Sequence, residues 1–271
     1  MKEDLTKRSR QIRRLTLECI GSLGIGHVGG SLSLGDLLAV LYYGDVMNID
    51  PKNPKMEGRD RLVVSKGHSG PAIYAALASK GYFPESELST LNQLGTNLPS
   101  HCDMNKTPGI DMTTGSLGQG FSCAVGVAVG SKIKKDGATI FAIVGDGESQ
   151  EGQVWEAAMY AAAKKLDNLI AFQDYNNAQI DGTVDEVNSL GRPEDKWTAF
   201  GWHTVTIDGH DHEAILKAIA DARATAGKPH MIVLQTIKGK GVSFIEAMGV
   251  GNHNMPLAGE QLTAALAELA E

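Results

Sequence analysis

Cysteine is scarce in this sequence, at 3 of 271 residues, and Cys19, Cys102 and Cys123 are widely spaced. An odd number at such spacings makes neither a disulfide framework nor a metal knuckle. Long apolar runs are missing as well: none reaches the roughly 18 residues that a membrane-spanning helix needs. Cationic blocks are also lacking, with 25 Lys and Arg against 32 Asp and Glu and a formal charge of −7. Phosphate-backbone binding needs clustered cations, so nucleic acid is excluded as a main partner. The basic run Lys7, Arg8, Arg10, Arg13, Arg14 alternates with Ile12, Leu15 and Leu17 and reads as the solvated face of a helix. The first residues are polar and do not form a signal peptide, so a cytoplasmic protein without membrane partners is expected.

What is present is apolar material and glycine. Hydrophobic residues make up 42%, enough for a sizeable core, and 32 glycines imply many turns or close backbone approaches. A first helix is predicted over about 4–21, then a Gly- and His-rich break over 24–30. Ser33 is a candidate cap for an apolar helix ending near Gly44. A strand follows over 61–65, a loop over 66–70 and an alanine-rich helix towards Gly81. The Gly-rich segment 113–120 leads into a helix of small residues over about 124–133. A strand (138–144), the turn Gly145-Asp146-Gly147, a helix (151–164) and a strand (168–174) then make a βαβ unit, whose strands must run parallel. Two more strands (203–207 and 231–236) flank a helix over about 211–226. The fold class is therefore α/β, an open and mostly parallel sheet with helices on both faces, in one domain spanning 1–271.

Parallel strands bring their carboxyl ends to one edge, where open α/β sheets place their ligands. Asp146 follows the first strand of the βαβ unit and Asn176 follows the second. A single carboxylate and a neutral oxygen hold Mg²⁺ poorly alone, but well when a polyphosphate supplies the other anionic ligands. The glycines flanking Asp146 would let backbone N–H groups approach that phosphate. The chain beyond the second strand end can add the Ala178 carbonyl. Each motif alone reads as a simple turn; together, at this interval, they read as a clamp.

Histidine numbers eight, and four stand in Gly- or Pro-bearing loops: His27, His68, His101 and His253. Imidazoles suit hydroxyl recognition and proton shuttling near neutral pH, and these lack the two-on-one-helix spacing of a zinc site. The runs Gly26-His27, Ser65-Lys-Gly-His68, Thr114-Gly-Ser-Leu-Gly-Gln-Gly120, Gly145-Asp-Gly147, Glu151-Gly152, Asp174-Tyr-Asn-Asn177, Ile180-Asp-Gly182 and Lys238-Gly-Lys-Gly241 stand in the order found in transketolases. From nearly end to end the chain resembles the diphosphate-binding half of that family, and in particular the short N-terminal subunits of split transketolases.

The resemblance implies thiamine diphosphate held through Mg²⁺, or Ca²⁺ or Mn²⁺ in its place, by Asp146, Asn176 and the Ala178 carbonyl. His68, Gly115, Ser116, Leu117, Gly147 and His253 would contact the cofactor. His27, His101 and His253 would line the sugar channel. Lys238 would reach the diphosphate, although a surface lysine explains it equally well. Glu151 and Glu156 would join a carboxylate network at the subunit interface, although acids at the start of a helix are also favoured by its dipole. The implied activity is two-carbon ketol transfer from a ketose phosphate to an aldose, as in the pentose phosphate pathway. Val28 departs from the family, which usually has proline there.

In transketolases a glutamate that hydrogen-bonds the aminopyrimidine ring lies in a second domain, with the arginines that bind the sugar phosphate. This chain has no room for a second α/β domain of ~150 residues. A separate C-terminal subunit in an α₂β₂ assembly is therefore expected. The alternatives are an alpha-type subunit of a 2-oxo-acid dehydrogenase, a transketolase for an unusual sugar, or a non-catalytic subunit that keeps the fold.

Overall fold

The computed structural model describes residues 4–270. Residues 1–3 and 271, where the expected domain begins and ends, lie outside the described residues. Helix α1 (Leu5–Leu23) starts where the Asp4 carboxylate accepts the Lys7 amide at 3.2 Å, and stops at Gly24, whose φ of 84° suits a residue without Cβ. Ile12, Leu17 and Ile20 form its buried stripe. Arg10 and Arg14 face solvent, as the basic run predicts, but Arg13 is buried. The charge of Arg13 is matched inside by Asp36.

The Gly-His break is more structured than the sequence suggests. It holds strand β1 (Ile25–Gly26) and the one-turn helix α2 (Gly29–Leu32), followed by α3 (Gly35–Tyr43). Ser33 does not cap α3; its hydroxyl donates to Asp174 Oδ2 at 2.7 Å, and Leu34 opens the helix without a side-chain bond. Next come β2 (Arg61–Val64), α4 (Gly70–Lys80), α5 (Gln119–Lys134), β3 (Ile140–Gly145), α6 (Gly152–Ala163) and β4 (Leu169–Tyr175). Two short helices, α7 (Val184–Asn188) and α8 (Pro193–Ala199), precede β5 (His203–Asp208), α9 (His212–Ala224) and β6 (His230–Gln235). The remaining elements are α10 (Ser243–Ala247), β7 (Met255–Pro256) and α11 (Gly259–Glu268).

The main sheet has five strands in the order β2-β3-β4-β6-β5, and every pairing is parallel. Alternation along the strands divides the core. Phe141, Ile143, Ile170, Phe172 and Ile232 face the layer that contains Leu17, Leu38 and Ile73. Ile140, Ala142, Val144, Ala171 and Val233 face Phe121, Trp197 and Trp202. Each large apolar side chain among them contributes about 1.5–3 kcal/mol by leaving water. With helices on both faces, only the ends of the strands are free to meet a ligand.

β3 and β4 are immediate neighbours, with Gly145 opposite Asp174. A separate antiparallel ladder joins β1 to β7, pairing Ile25 with Pro256 and Gly26 with Met255. The Leu257 amide adds a bond to Gly24 O at 2.9 Å. Among the described residues, no helix is long and apolar enough to cross a membrane.

Candidate active site

Four adjacent strands deliver polar groups to the same edge: Lys66 and His68 after β2, Asp146 after β3, Asn176 after β4 and Lys238 after β6. They surround a cleft of about 360 Å³. Its wall includes His27, His68, His101, His253, Gly115, Leu117, Asp146, Gly147, Glu151, Asn176, Ala178 and Lys238. Ser116 and Glu156 are not part of that wall; both are exposed, Ser116 before α5 and Glu156 on α6.

The β1–β7 ladder explains how residues so distant in sequence meet. It sets His27, just past β1, beside His253, just before β7, with ring centroids 5.3 Å apart. His68 lies 5.2 Å from each of these rings, and His101 lies 5.9 Å from His27. Burial and the neighbouring Lys66 charge push His68 well below its ordinary value. Burial, His101 and Lys238 lower His27, and burial with Lys238 lowers His253 to about 4. These three rings are therefore neutral at physiological pH. Lys238 Nζ stands 3.1 Å from His253 Nδ1. An ammonium can only donate, so Nδ1 accepts and the ring proton sits on Nε2.

Asp146 is 4% exposed, and its bonds come from backbone amides: Gly147 to Oδ1 and Asn176 to Oδ2, both at 3.0 Å. It has no ion-pair partner among the described residues. Burial and the nearby Asp174 charge raise it to about 6. The Asn176 side-chain oxygen accepts the Ala178 amide at 3.2 Å, which turns the chain so that the Ala178 carbonyl accepts from Lys238 Nζ at 3.0 Å. Burial brings Lys238 down to about 8. Its ammonium lies inside the site, 6% exposed, and is not a surface group.

Two glycines are required by the local packing. A Cβ on Gly67 would stand 2.7 Å from the Thr114 carbonyl carbon, so the loop after β2 and the Gly-rich loop touch backbone to backbone. Gly115 has φ 155° and lies against His101.

Lys66 and Asp174 fall inside recognisable sequence motifs, yet sequence reasoning gave neither residue a role. Lys66 Nζ pairs with Asp174 Oδ2 and donates to Gly30 O at 2.8 Å, entirely below the surface. Glu148 was also missed. It is buried, accepts from Ser65 Oγ at 2.5 Å, the Gly118 amide at 2.8 Å and the Gly145 amide at 3.1 Å, and is raised by burial against those bonds. It ties together the ends of β2 and β3 and the start of α5. The available signal was a second acid, two residues after Asp146, within the same Gly-rich turn. Gln150 and Gln179, joined at 2.7 Å, complete one side of the cleft.

Residues 6–269 match the family model described as transketolase, thiamine diphosphate binding domain. The 6-deoxy-6-sulfo-D-fructose transketolase subunit SqwG of a Clostridium species is 59% identical, with 98% of this chain and 96% of that protein aligned. A subunit of the apulose-4-phosphate transketolase of Phocaeicola vulgatus is 40% identical over 99% of this chain and 95% of its own length. Among solved structures, a transketolase from Leishmania mexicana superposes with a TM-score of 0.92 at 31% identity; it covers 99% of this chain, which spans 42% of that longer protein. By sequence and by fold, the chain belongs to the transketolase family, as its thiamine diphosphate-binding domain.

Proposed function

We propose that this chain is the N-terminal subunit of a split, Mg²⁺-dependent transketolase. A separate C-terminal subunit would carry the pyrimidine-binding domain, in an α₂β₂ assembly. The observation that carries the reading is the convergence of Asp146, Asn176, the Ala178 carbonyl and four loop histidines on one cleft. The donor set fits the cofactor. A buried carboxylate with only amide partners is matched by a divalent cation, and an amide oxygen and a carbonyl are hard oxygen ligands of the kind Mg²⁺ takes beside a diphosphate. Lys238, which has no ion-pair partner among the described residues, supplies the cation for that diphosphate.

Bound thiamine diphosphate would supply the carbanion chemistry that breaks and remakes the ketose carbon–carbon bond. The chain's own residues have separate tasks. His253 donates through Nε2, and neutral His27 and His68 can each donate and accept, which suits sugar hydroxyls and proton exchange with them. Lys238 holds His253 in one tautomer. Glu151, exposed at the cleft rim, and Glu156 beyond it are available to carboxylates of the second subunit.

For the donor we propose a ketose with an anionic C6 substituent, of the sulfonated class named for the 59% identical relative, in place of the common pentose phosphates. The test is ketol transfer by this chain mixed with a candidate partner on 6-sulfo-ketose, apulose 4-phosphate and xylulose 5-phosphate. Full activity without a partner would overturn the split assembly, and preference for the pentose phosphate would overturn the donor. His101→Ala is expected to slow turnover more than it weakens cofactor binding.

A further inference from the structure

We infer that His210, which lies outside the cleft wall, is a positioning residue that fixes the chain segment carrying Lys238; the link to the cofactor rests on the function proposed above. His210 stands in the turn between β5 and α9. Its Nδ1 is 2.7 Å from Asp36 Oδ2, and its Nε2 accepts the Ile237 N–H at 2.9 Å. A ring nitrogen that accepts an N–H carries no proton, so the proton is on Nδ1 and is donated to Asp36.

Asp36 is itself firmly held. Both guanidinium Nη atoms of Arg13 bond its carboxylate, and His212 Nε2 lies 3.0 Å away. Arg13 Nε in turn donates to Leu32 O at 3.0 Å. Burial pushes Asp36 up, but the bonds from His210 and His212 and the Arg13 charge hold it well below the usual carboxylate range. The imidazole is thus a strut between a charged, fully bonded acid and one backbone amide.

That amide lies in the segment 236–239, which leaves the sheet after β6. Thr236 N is tied to Tyr175 O and Gly239 N to Gly29 O, each at 3.0 Å. Between those ties the segment is held by the His210 bond and by the Lys238 carbonyl, which accepts from Asn252. The fit beneath is close: a Cβ on Gly209 would stand 2.5 Å from Thr236 Cγ2 and 2.9 Å from Leu234 Cβ. The next residue, Lys238, sends its ammonium to the Ala178 carbonyl and His253. A shift at Ile237 is passed to the adjoining Lys238 backbone, from which that ammonium is aimed.

Two variants divide the strut. His210→Gln places an amide oxygen where Nε2 stands and keeps the Ile237 bond; His210→Asn reaches only the Asp36 side. In the full-length chain without cofactor, hydrogen exchange over 236–239 should quicken in His210→Asn and remain at the wild-type rate in His210→Gln. Thiamine diphosphate affinity with Mg²⁺, measured by calorimetry on the chain mixed with its partner subunit, should fall about tenfold in His210→Asn alone, the scale of removing an outer support from a cation site. In a Lys238→Met background, His210→Asn should add no further loss. Equal exchange rates in the two variants overturn the inference, as does full additivity with Lys238→Met. A wild-type chain that binds no thiamine diphosphate even when mixed with its partner subunit refutes the cofactor reading instead, and the exchange comparison then decides the strut by itself.

Discussion

Asp146 and Asp174 follow one another around the same sheet edge, at the ends of neighbouring strands, and their surroundings treat them in opposite ways. Asp174 is fully buried and accepts from Lys66, from Ser33 at 2.7 Å and from Thr236 at 2.5 Å. Burial would raise it, but the Lys66 charge and these bonds hold it below the ordinary carboxylate value. Asp146, nearly as deep, receives two amide bonds and no cation and is raised to about 6. A buried charge that is paired belongs to the frame. One left with amides alone is free to take an external cation, so the difference between the two acids marks where framework ends and site begins.

The comparison can be broken from either side. Asp174→Ala should have the largest effect, about 3–5 kcal/mol of lost stability by chemical denaturation, because it strands the buried Lys66 ammonium. A loss below ~1 kcal/mol would show that the pair is not structural. Asp146→Asn should act with the opposite sign. It should stabilise the cofactor-free chain by about 1 kcal/mol, while abolishing Mg²⁺-dependent cofactor binding in calorimetry. Removing the raised carboxyl's desolvation cost outweighs leaving one of the two backbone N–H groups facing the Asn amide nitrogen. Unchanged cofactor affinity would remove the clamp.

The pH dependence follows from the same shift. Asp146 has its ordinary value near 3.8 when unfolded and about 6 when folded. Between those limits the folded chain binds more protons, so this group's contribution to stability falls as pH rises. The stability difference between Asp146→Asn and wild type should grow from about pH 4 to about pH 6 and then level off. Cofactor affinity has the reverse slope, weakening as pH drops through about 6 and a proton competes with the metal. A flat difference profile would contradict the assigned shift. The smallest effect expected is that of Ser33→Ala, about 1 kcal/mol for one of several bonds to Asp174. A neutral result would mean that Lys66 and Thr236 suffice.

The contrast also explains what could be read from the sequence. That Asp146 and Asn176 stand at the ends of neighbouring strands was legible, because each closes a strand pattern and sits beside turn residues. The parallel sheet and its helical cover were legible for the same reason, with strand ends within two residues of those observed. Asp174 also ends an apolar run, but nothing local says that its partner is a lysine after β2. Ion pairs between strands depend on strand order, which periodicity does not encode. Ser33 looked like a helix cap because Ser before an apolar run usually is one; tertiary demand from Asp174 claimed its hydroxyl. Arg13 was read with its solvated neighbours, since an arginine facing a buried acid looks like any other arginine. The ladder between β1 and β7 has two residues per strand, too few for an alternating pattern.

That ladder has a consequence for the order in which the site is made. Synthesis proceeds from the amino end, so β1 and His27 emerge early and the five sheet strands follow, with Asp146, Asn176 and Lys238 among them. The proposed clamp residues Asp146, Asn176 and Ala178 are all made before residues 250–257 exist. The histidine group cannot form by then, because His253 reaches His27 only when β7 closes a loop across almost the whole molecule, the slowest kind of contact to form. A nascent chain stalled just short of residue 250 would hold every proposed metal ligand but lack His253. The proposed cation ligands are thus in place before the histidine group is complete.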